Sequence, residues 1–259
     1  MRYSLGRKFS VFYASLIYLF LYMPIAILIL YSFNQSKLNA VWTGFTFDWY
    51  VKLMQNSDVL EAMKTSLIVA LISTLAATMI GTLAAVGMYR YHFRGKTALD
   101  AMLYLPIVIP EIVMGISMLA LFAQLKVPLG YFTLIAAHIT FSVPFVVVVV
   151  RARLAGFDKS IEEAAMDLGA TPWQTFVKVT MPVIAPGILA SAMLAFTLSL
   201  DDVIISFFVA GPASATLPLK IFSMVKFGVT PEINALSTLM LVVTLAIVIF
   251  AERIRMRKE

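Results

Sequence analysis

Three carboxylates interrupt long apolar stretches: Glu111, Asp201 and Asp202. No Lys or Arg falls at comparable depth in those stretches. A charge carried into hydrocarbon costs about 2.5–3.5 kcal/mol on insertion scales and marks a solute, ion or proton path by default. Carboxylates without a basic partner suit a cationic solute or protons; the other role open to each is that of a protonated, hydrogen-bonded packing residue. Asp201 and Asp202 are adjacent, so in a regular helix they diverge by ~100°. Ser199, Asp202 and Ser206 share one stripe, and Thr197 and Asp201 share another. One Asp is expected to line a pathway, and the other to bond a neighbouring helix or widen the same cavity. Glu111 follows Pro106 and Pro110 and is a candidate cap for a broken helix. Trp49 and Tyr50 offer cation–π faces or belong to an interfacial aromatic belt. His138 is expected in an interhelical hydrogen bond, with a proton relay as the alternative.

Other chemistries are excluded by composition. The chain has no cysteine, so disulfides, thiolate metal sites and Cys nucleophiles are absent. His92 and His138 are the only histidines, and no metal site is expected. Arg94-Gly95-Lys96-Thr97 has the tail of a phosphate loop, but Arg90 stands where the first glycine belongs. The net charge of +6 is read as basic cytoplasmic loops rather than a nucleic-acid surface.

The acids must be positioned by membrane-spanning helices. Hydrophobic residues make up 61% of 259 and charged ones 13%, against about a quarter charged in soluble domains. Apolar runs of about 20 residues, enough to cross the hydrocarbon, fall near 11–33, 64–89, 101–124, 130–150, 183–209 and 234–251. Val146–Val150 reads as strand by propensity, but backbone groups in lipid must pair within their own segment, so helix is expected. The outer loops, 34–63 and 210–233, are long enough to carry short helices, for example over Asp48–Gln55. The fold expected is all-α: one polytopic domain over 1–259 with six transmembrane helices. The first run is long enough to span and has no small-residue cleavage site after it, so no removable signal peptide is expected.

With the N-terminus inside, the inner segments hold Arg2, Arg7, Lys8, Arg90, Arg94, Lys96, Arg151, Arg153, Lys159, Lys178, Arg253, Arg255, Arg257 and Lys258. The outer side holds Lys37, Lys52, Lys64, Lys126, Lys220 and Lys226. The excess of inner basic residues orients both termini to the cytoplasm. Counting ~1.5 Å per residue, Glu111 lies about 15 Å from the cytoplasmic start of its span and Asp201 about 22 Å beyond Pro186, near mid-membrane.

The cytoplasmic segment from about 158 to 182 reads as helix, sharp turn, helix. Ser160 and Glu163 have capping-box spacing, and so do Thr171 and Gln174, with Pro172 at the first helical position. Ile161, Ala164, Ala165 and Leu168 fall on one face. Gly169 sits where a helix end wants a left-handed residue. Pro182 and Pro186 are expected to break the second helix before the fifth span. Such a loop either packs under the bundle or receives force from a soluble partner.

The spacing Glu163-Ala164-Ala165, three residues, Gly169, nine residues, Val179-x-Met181-Pro182 resembles the signature loop of ABC importer permeases. Val179 and Met181 replace the family's commoner Ile and Leu. GFTFDWY (44–50), YRYHFRGK (89–96), HITFSVPFVVVVVRARLAGFD (138–158), LSLDDVIISFFVAGP (198–212) and LPLKIFSMVKFGVTPEINAL (217–236) extend the likeness over nearly the whole chain. They resemble the second permease subunit of spermidine/putrescine importers. Several expectations follow from the resemblance. Glu111, Asp201 and Asp202 would face a translocation cavity for amines, with Ser199 and Trp49 beside them; relatives often carry Asp where Glu111 stands. Glu163, Ala164, Ala165, Gly169 and Pro182 would dock a cytoplasmic ATPase. Partners would be a second homologous permease, two copies of that ATPase and an extracytoplasmic polyamine-binding protein, all at a bacterial cytoplasmic membrane. The chain would be no enzyme and hold no cofactor, ATP being bound by the partner. The alternatives are a permease for another solute, such as an opine or amino acid, and a proton-coupled secondary transporter.

The orientation is testable in a chain that has no cysteine of its own. Single cysteines placed at Thr97 and Thr171 are expected to resist a membrane-impermeant thiol reagent in intact cells. Labelling of both from outside would invert the topology.

Overall fold

The computed structural model describes residues 2–36, 41–226 and 228–256. Lys37, Arg257 and Lys258, which count toward the orientation above, lie outside the described residues. Helices dominate, and an isolated bridge between Asn34 and Phe45 is the one β contact among the described residues.

Among the described residues, five helical stretches are long and apolar enough to cross a membrane. They lie in α1 (Arg2–Tyr31), α3 (Ser57–Arg90), α6 (Tyr131–Ala155), a continuous helix over Pro172–Asp201, and α12 (Pro231–Met256). Between Arg2 and Ser57 lies the short α2 (Asp48–Gln55), at the position expected for an outer-loop helix. The Val146–Val150 run is helical, as hydrocarbon requires.

The apolar stretch expected over 101–124 is broken, as the place of Glu111 after Pro110 suggested. It is α4 (Lys96–Val108) followed by α5 (Glu111–Gln124), bent by 110°. Pro110 causes the break: it has no N–H to continue the ladder, and it pushes Ile109 into an extended conformation (φ −71°, ψ 133°). Glu111 then begins α5, where a carboxylate is favoured by the helix dipole.

The fifth span differs from the expectation over 183–209. After α7 (Ser160–Asp167), helix α8 (Pro172–Thr175) runs through a π-helical turn at Phe176–Thr180 directly into α9 (Met181–Asp201). Pro182 and Pro186 therefore do not interrupt it. The wider π turn, in which the Met181 N–H reaches the Phe176 carbonyl, absorbs the register change just before Pro182. The helix instead ends at Asp201, and a short α10 (Ile204–Val209) follows, then α11 (Leu217–Val225).

The chain forms two compact units. The first comprises Met1–Leu60 and Ile221–Leu245. Its outer loop is ordered by Asn34, whose side chain bonds the Val41 carbonyl and the Thr43 N–H at 2.9 and 3.0 Å. Phe33 stacks on Phe45 at 5.1 Å and meets Phe47 and Tyr50 at 5.4 and 5.2 Å.

The second unit comprises Glu61–Lys220 and Ala246–Glu259. Helix α6 is its pillar, packing on α4, α5, α9 and α10. Val146, Val147, Val150 and Leu154 join Ala77, Ala85, Phe176, Ile184 and Ala195 in one core cluster. Leu134, Ala137 and Phe141 join Val69, Met114, Phe122, Ile205 and Val209 in another. Close approach depends on small residues, because lipid supplies no hydrophobic drive for helix association. A Cβ on Gly115 would fall 2.6 Å from Cδ2 of Phe208, and one on Gly211 would strike the backbone carbonyl of Leu129.

Those two glycines are expected to differ in their tolerance. Gly211→Ala meets backbone and should lower the stability of the purified protein by about 1–3 kcal/mol, seen as a reduced Tm. Gly115→Ala meets a ring that can turn and should cost less. Equal Tm values for Gly211→Ala and the parent would contradict the packing.

Candidate functional site

The α9–α10 break lies inside the second unit and is organised by Asp202. This residue is extended (φ −63°, ψ 127°) and buried. Its Oδ1 accepts from the Ile205 N–H at 3.2 Å. Its Oδ2 accepts from the Ser206 N–H and from the Ser206 hydroxyl, both at 2.7 Å. Asp202 thus caps the free amides of α10, the usual task of an Asp before an apolar run. Nε2 of His138, on α6, lies 3.4 Å from Oδ2. The expectation that no basic group faces this acid holds for Lys and Arg but not for His138. The stripe of Ser199, Asp202 and Ser206 does converge, on that imidazole: Nδ1 is 2.7 Å from the Ser199 hydroxyl and Nε2 is 3.1 Å from the Ser206 hydroxyl.

Asp201 is the last residue of α9 and is exposed. Glu111, at the start of α5, is exposed too. Asp201 lies within electrostatic reach of both Asp202 and Glu111. Gly115 makes this possible, because without a side chain it lets α5 close on Ile205 and Phe208 of α10. The negative end of the α9 dipole adds to the field at Asp201. Two helix breaks therefore leave two exposed carboxylates within electrostatic reach of each other, while the third is turned inward and satisfied. Such a pair can bind ammonium groups.

Trp49 belongs to the first unit and is 7% exposed. Its indole N–H donates to the Asn34 carbonyl at 2.8 Å, and the Lys52 ammonium lies 4.6 Å from its ring centre. Its cation–π face already carries a cation of the chain itself.

On the loop over 158–182, α7 ends in a Schellman turn: the Gly169 N–H bonds the Met166 carbonyl at 2.9 Å and the Ala170 N–H bonds the Ala165 carbonyl at 3.1 Å. Gly169 has φ +90°, the left-handed conformation expected of it. The Thr171–Gln174 capping box forms, at 2.9 and 3.3 Å. The Ser160–Glu163 box does not. Ser160 is already helical, and Asp158 accepts its N–H at 2.9 Å, a bond that holds the Asp158 carboxyl below the usual range. Glu163, Ala164 and Gly169 are exposed, as are Ile161 (46%), Leu168 (90%) and Trp173 (72%). Large apolar groups so open to water suit a protein partner. Pro182 is exposed at the start of α9, beyond the π turn.

Sequence reasoning missed the anchor of this loop. Arg90, the last residue of α3, pairs with Glu162 on α7 and bonds the Thr180 hydroxyl at 2.9 Å; Thr180 also bonds Glu162. The guanidinium lies 5.5 Å from the Phe176 ring centre. Arg151 and Asp100 form a second pair between α6 and α4. The only signal was one basic and one acidic residue at helix ends, far apart in sequence.

Residues 77–256 match the family described as binding-protein-dependent transport system inner membrane component. The chain is 48% identical over 250 residues to the spermidine/putrescine transport system permease protein PotC of Escherichia coli, covering 96% of this chain and 95% of that one. It is 46% identical over 229 residues to the putrescine transport system permease protein PotI of the same organism, covering 86% and 82%. A bacterial ABC transporter involved in alginate import has the same fold, with a TM-score of 0.77 at 20% identity over 97% of this chain and 96% of that one. By family match and by identity along almost its full length, the chain belongs to the multi-pass inner-membrane components of binding-protein-dependent transport systems.

Proposed function

We propose that this chain is a permease subunit of an ATP-driven importer for polyamines such as spermidine and putrescine, and forms half of the translocation pathway. The observation that carries the reading is the pair of exposed carboxylates, Glu111 and Asp201, left within electrostatic reach of each other at two helix breaks in a chain closely similar to polyamine permeases. Polyamines carry ammonium groups spaced along a flexible aliphatic chain. Separate anionic points suit them better than a single one does, and a partly dry cavity strengthens each contact.

The rest of the machine is supplied by partners. A second, similar permease would complete the cavity. Two copies of a cytoplasmic ATPase would engage the exposed face carrying Glu163, Ala164, Gly169, Leu168 and Trp173. An extracytoplasmic binding protein would deliver the cation, and both termini would face the cytoplasm. ATP binding would draw the two loops together and open the cavity outward, and hydrolysis would reset it. Arg90, by joining α7 to α3 and to the π turn, would pass the movement of the loop to the spans.

Three outcomes test these assignments in the complete complex. Asp201→Asn keeps size and hydrogen bonding and should lower polyamine uptake efficiency about 30-fold or more, an effect of ~2 kcal/mol. Glu111→Gln should act in the same direction. Wild-type uptake should need ATP and persist when the proton gradient is collapsed. Wild-type efficiency in the Asp201 variant would remove the cation site, and uptake that follows the proton gradient without ATP would remove the ABC mechanism. Gly169→Val forces a β-branched residue into a left-handed turn at about 1–2 kcal/mol. It should still insert, but release the ATPase or let it hydrolyse ATP without transport. Normal uptake with normal ATPase attachment would contradict the coupling role.

A further inference from the structure

His138 is a buried titratable group that takes no part in the reading above. It is 2% exposed at the centre of the second unit. Its two ring nitrogens reach opposite sides of the same helix break: Nδ1 meets Ser199 in α9 at 2.7 Å, and Nε2 meets Ser206 in α10 at 3.1 Å. The separation of the nitrogens is set by a rigid ring, so the imidazole sets the separation of the two helix ends. The hydroxyl protons assign the direction. The Ser206 hydroxyl donates to Asp202, so its oxygen accepts from Nε2–H. On the other side, the Ser199 hydroxyl is 3.0 Å from that of Ser73 on α3, which is itself bonded to the Val69 carbonyl. A continuous polar path thus crosses four helices and ends on Asp202.

We infer that His138 is a positioning residue for cation selection: by bridging Ser199 and Ser206 it holds Asp202 turned inward, so that Asp201 and Glu111 alone meet the substrate. The inference rests on the cation site proposed above. Of two adjacent aspartates, one caps α10 against the imidazole and the other ends α9 facing outward. Without the bridge, Asp202 would be free to leave its cap and add a third, misplaced carboxylate to the site. Loss of His138 would then be felt as a fault in recognition that removing the Asp202 charge should repair. A residue that merely filled space would give no such repair.

Two arms of one experiment decide this in the assembled complex. The first does not depend on the substrate. Asp201→Cys is alkylated with a neutral, water-soluble thiol reagent, with His138 present or replaced by Ala. The rate is expected to fall about fivefold when the bridge is lost and the exposed turn reorients. An unchanged rate overturns the inference whatever the transporter carries. The second arm measures spermidine uptake. His138→Ala should raise KM about tenfold with the saturated rate within about twofold, and adding Asp202→Asn should bring KM back toward wild type. Additive losses in the double variant overturn the inference. Should His138→Ala fail to assemble, Ser206→Ala, which removes the α10 arm of the bridge together with the Ser206 hydroxyl's own bond to Asp202, is expected to show the same rise in KM, and a wild-type KM there overturns it. Absence of spermidine uptake by the wild-type complex would remove the polyamine reading, and the alkylation arm would still decide the role of His138.

Discussion

A polar group inside hydrocarbon must find its partner within the protein, and two interrupted spans show how this chain meets that demand. Every helix break exposes amides and carbonyls that water cannot reach. At Pro110 the break needs few partners, because the proline has no N–H to satisfy and the next helix opens with Glu111. At Asp202 no proline or glycine helps. The carboxylate itself takes the free amides of α10, and the imidazole of His138 stands beside it. The same break that has to be capped is the one that turns Asp201 outward. Inward capping and outward exposure are thus divided between neighbouring residues of one type.

The loop over 158–182 is governed by the complementary constraint. It lies in water, yet it presents Ile161, Leu168 and Trp173 openly, while its inner face is held by Arg90, Glu162 and Thr180. A loop anchored on one side and apolar on the other is suited to receiving a partner without unfolding. The π turn at Phe176–Thr180 carries α8 into α9 without a gap, so exposed Trp173 and the residue Asp201 lie on one continuous helix, to which α7 is joined by the turn at Gly169.

What the sequence made legible is what depends on neighbours in sequence. The apolar runs marked the spans, the left-handed turn at Gly169 followed from its place after a helical face, and the Thr171–Gln174 cap formed as its spacing required. Pro110 announced a break, though not its 110° angle, because that angle depends on how closely Gly115 lets α5 approach α10. What stayed hidden involves partners distant in sequence. His138 was expected in an interhelical hydrogen bond and makes two, but which helices it joins is visible only once α6, α9 and α10 pack around it. Asp202 reads as mid-helix because the residues after it are apolar and helix-compatible; its one cue was an Asp ahead of such a run, the ordinary mark of an N-cap. Arg90 and Glu162 are 72 residues apart, and no local pattern joins them. Pro182 was read as a stop because a local rule says so, whereas the π turn before it carries the helix onward.

The claim that two separated carboxylates select a polyvalent amine is tested most directly by competition. Proteoliposomes holding the complete complex would take up labelled spermidine with ATP, against unlabelled putrescine, a monoamine of the same chain length, and a zwitterionic amino acid. The expected result is that putrescine competes, the monoamine competes at least about tenfold more weakly because it loses one charged contact, and the amino acid does not compete. Equal competition by the monoamine, or effective competition by the amino acid, would contradict the assignment of Glu111 and Asp201 as paired cation contacts.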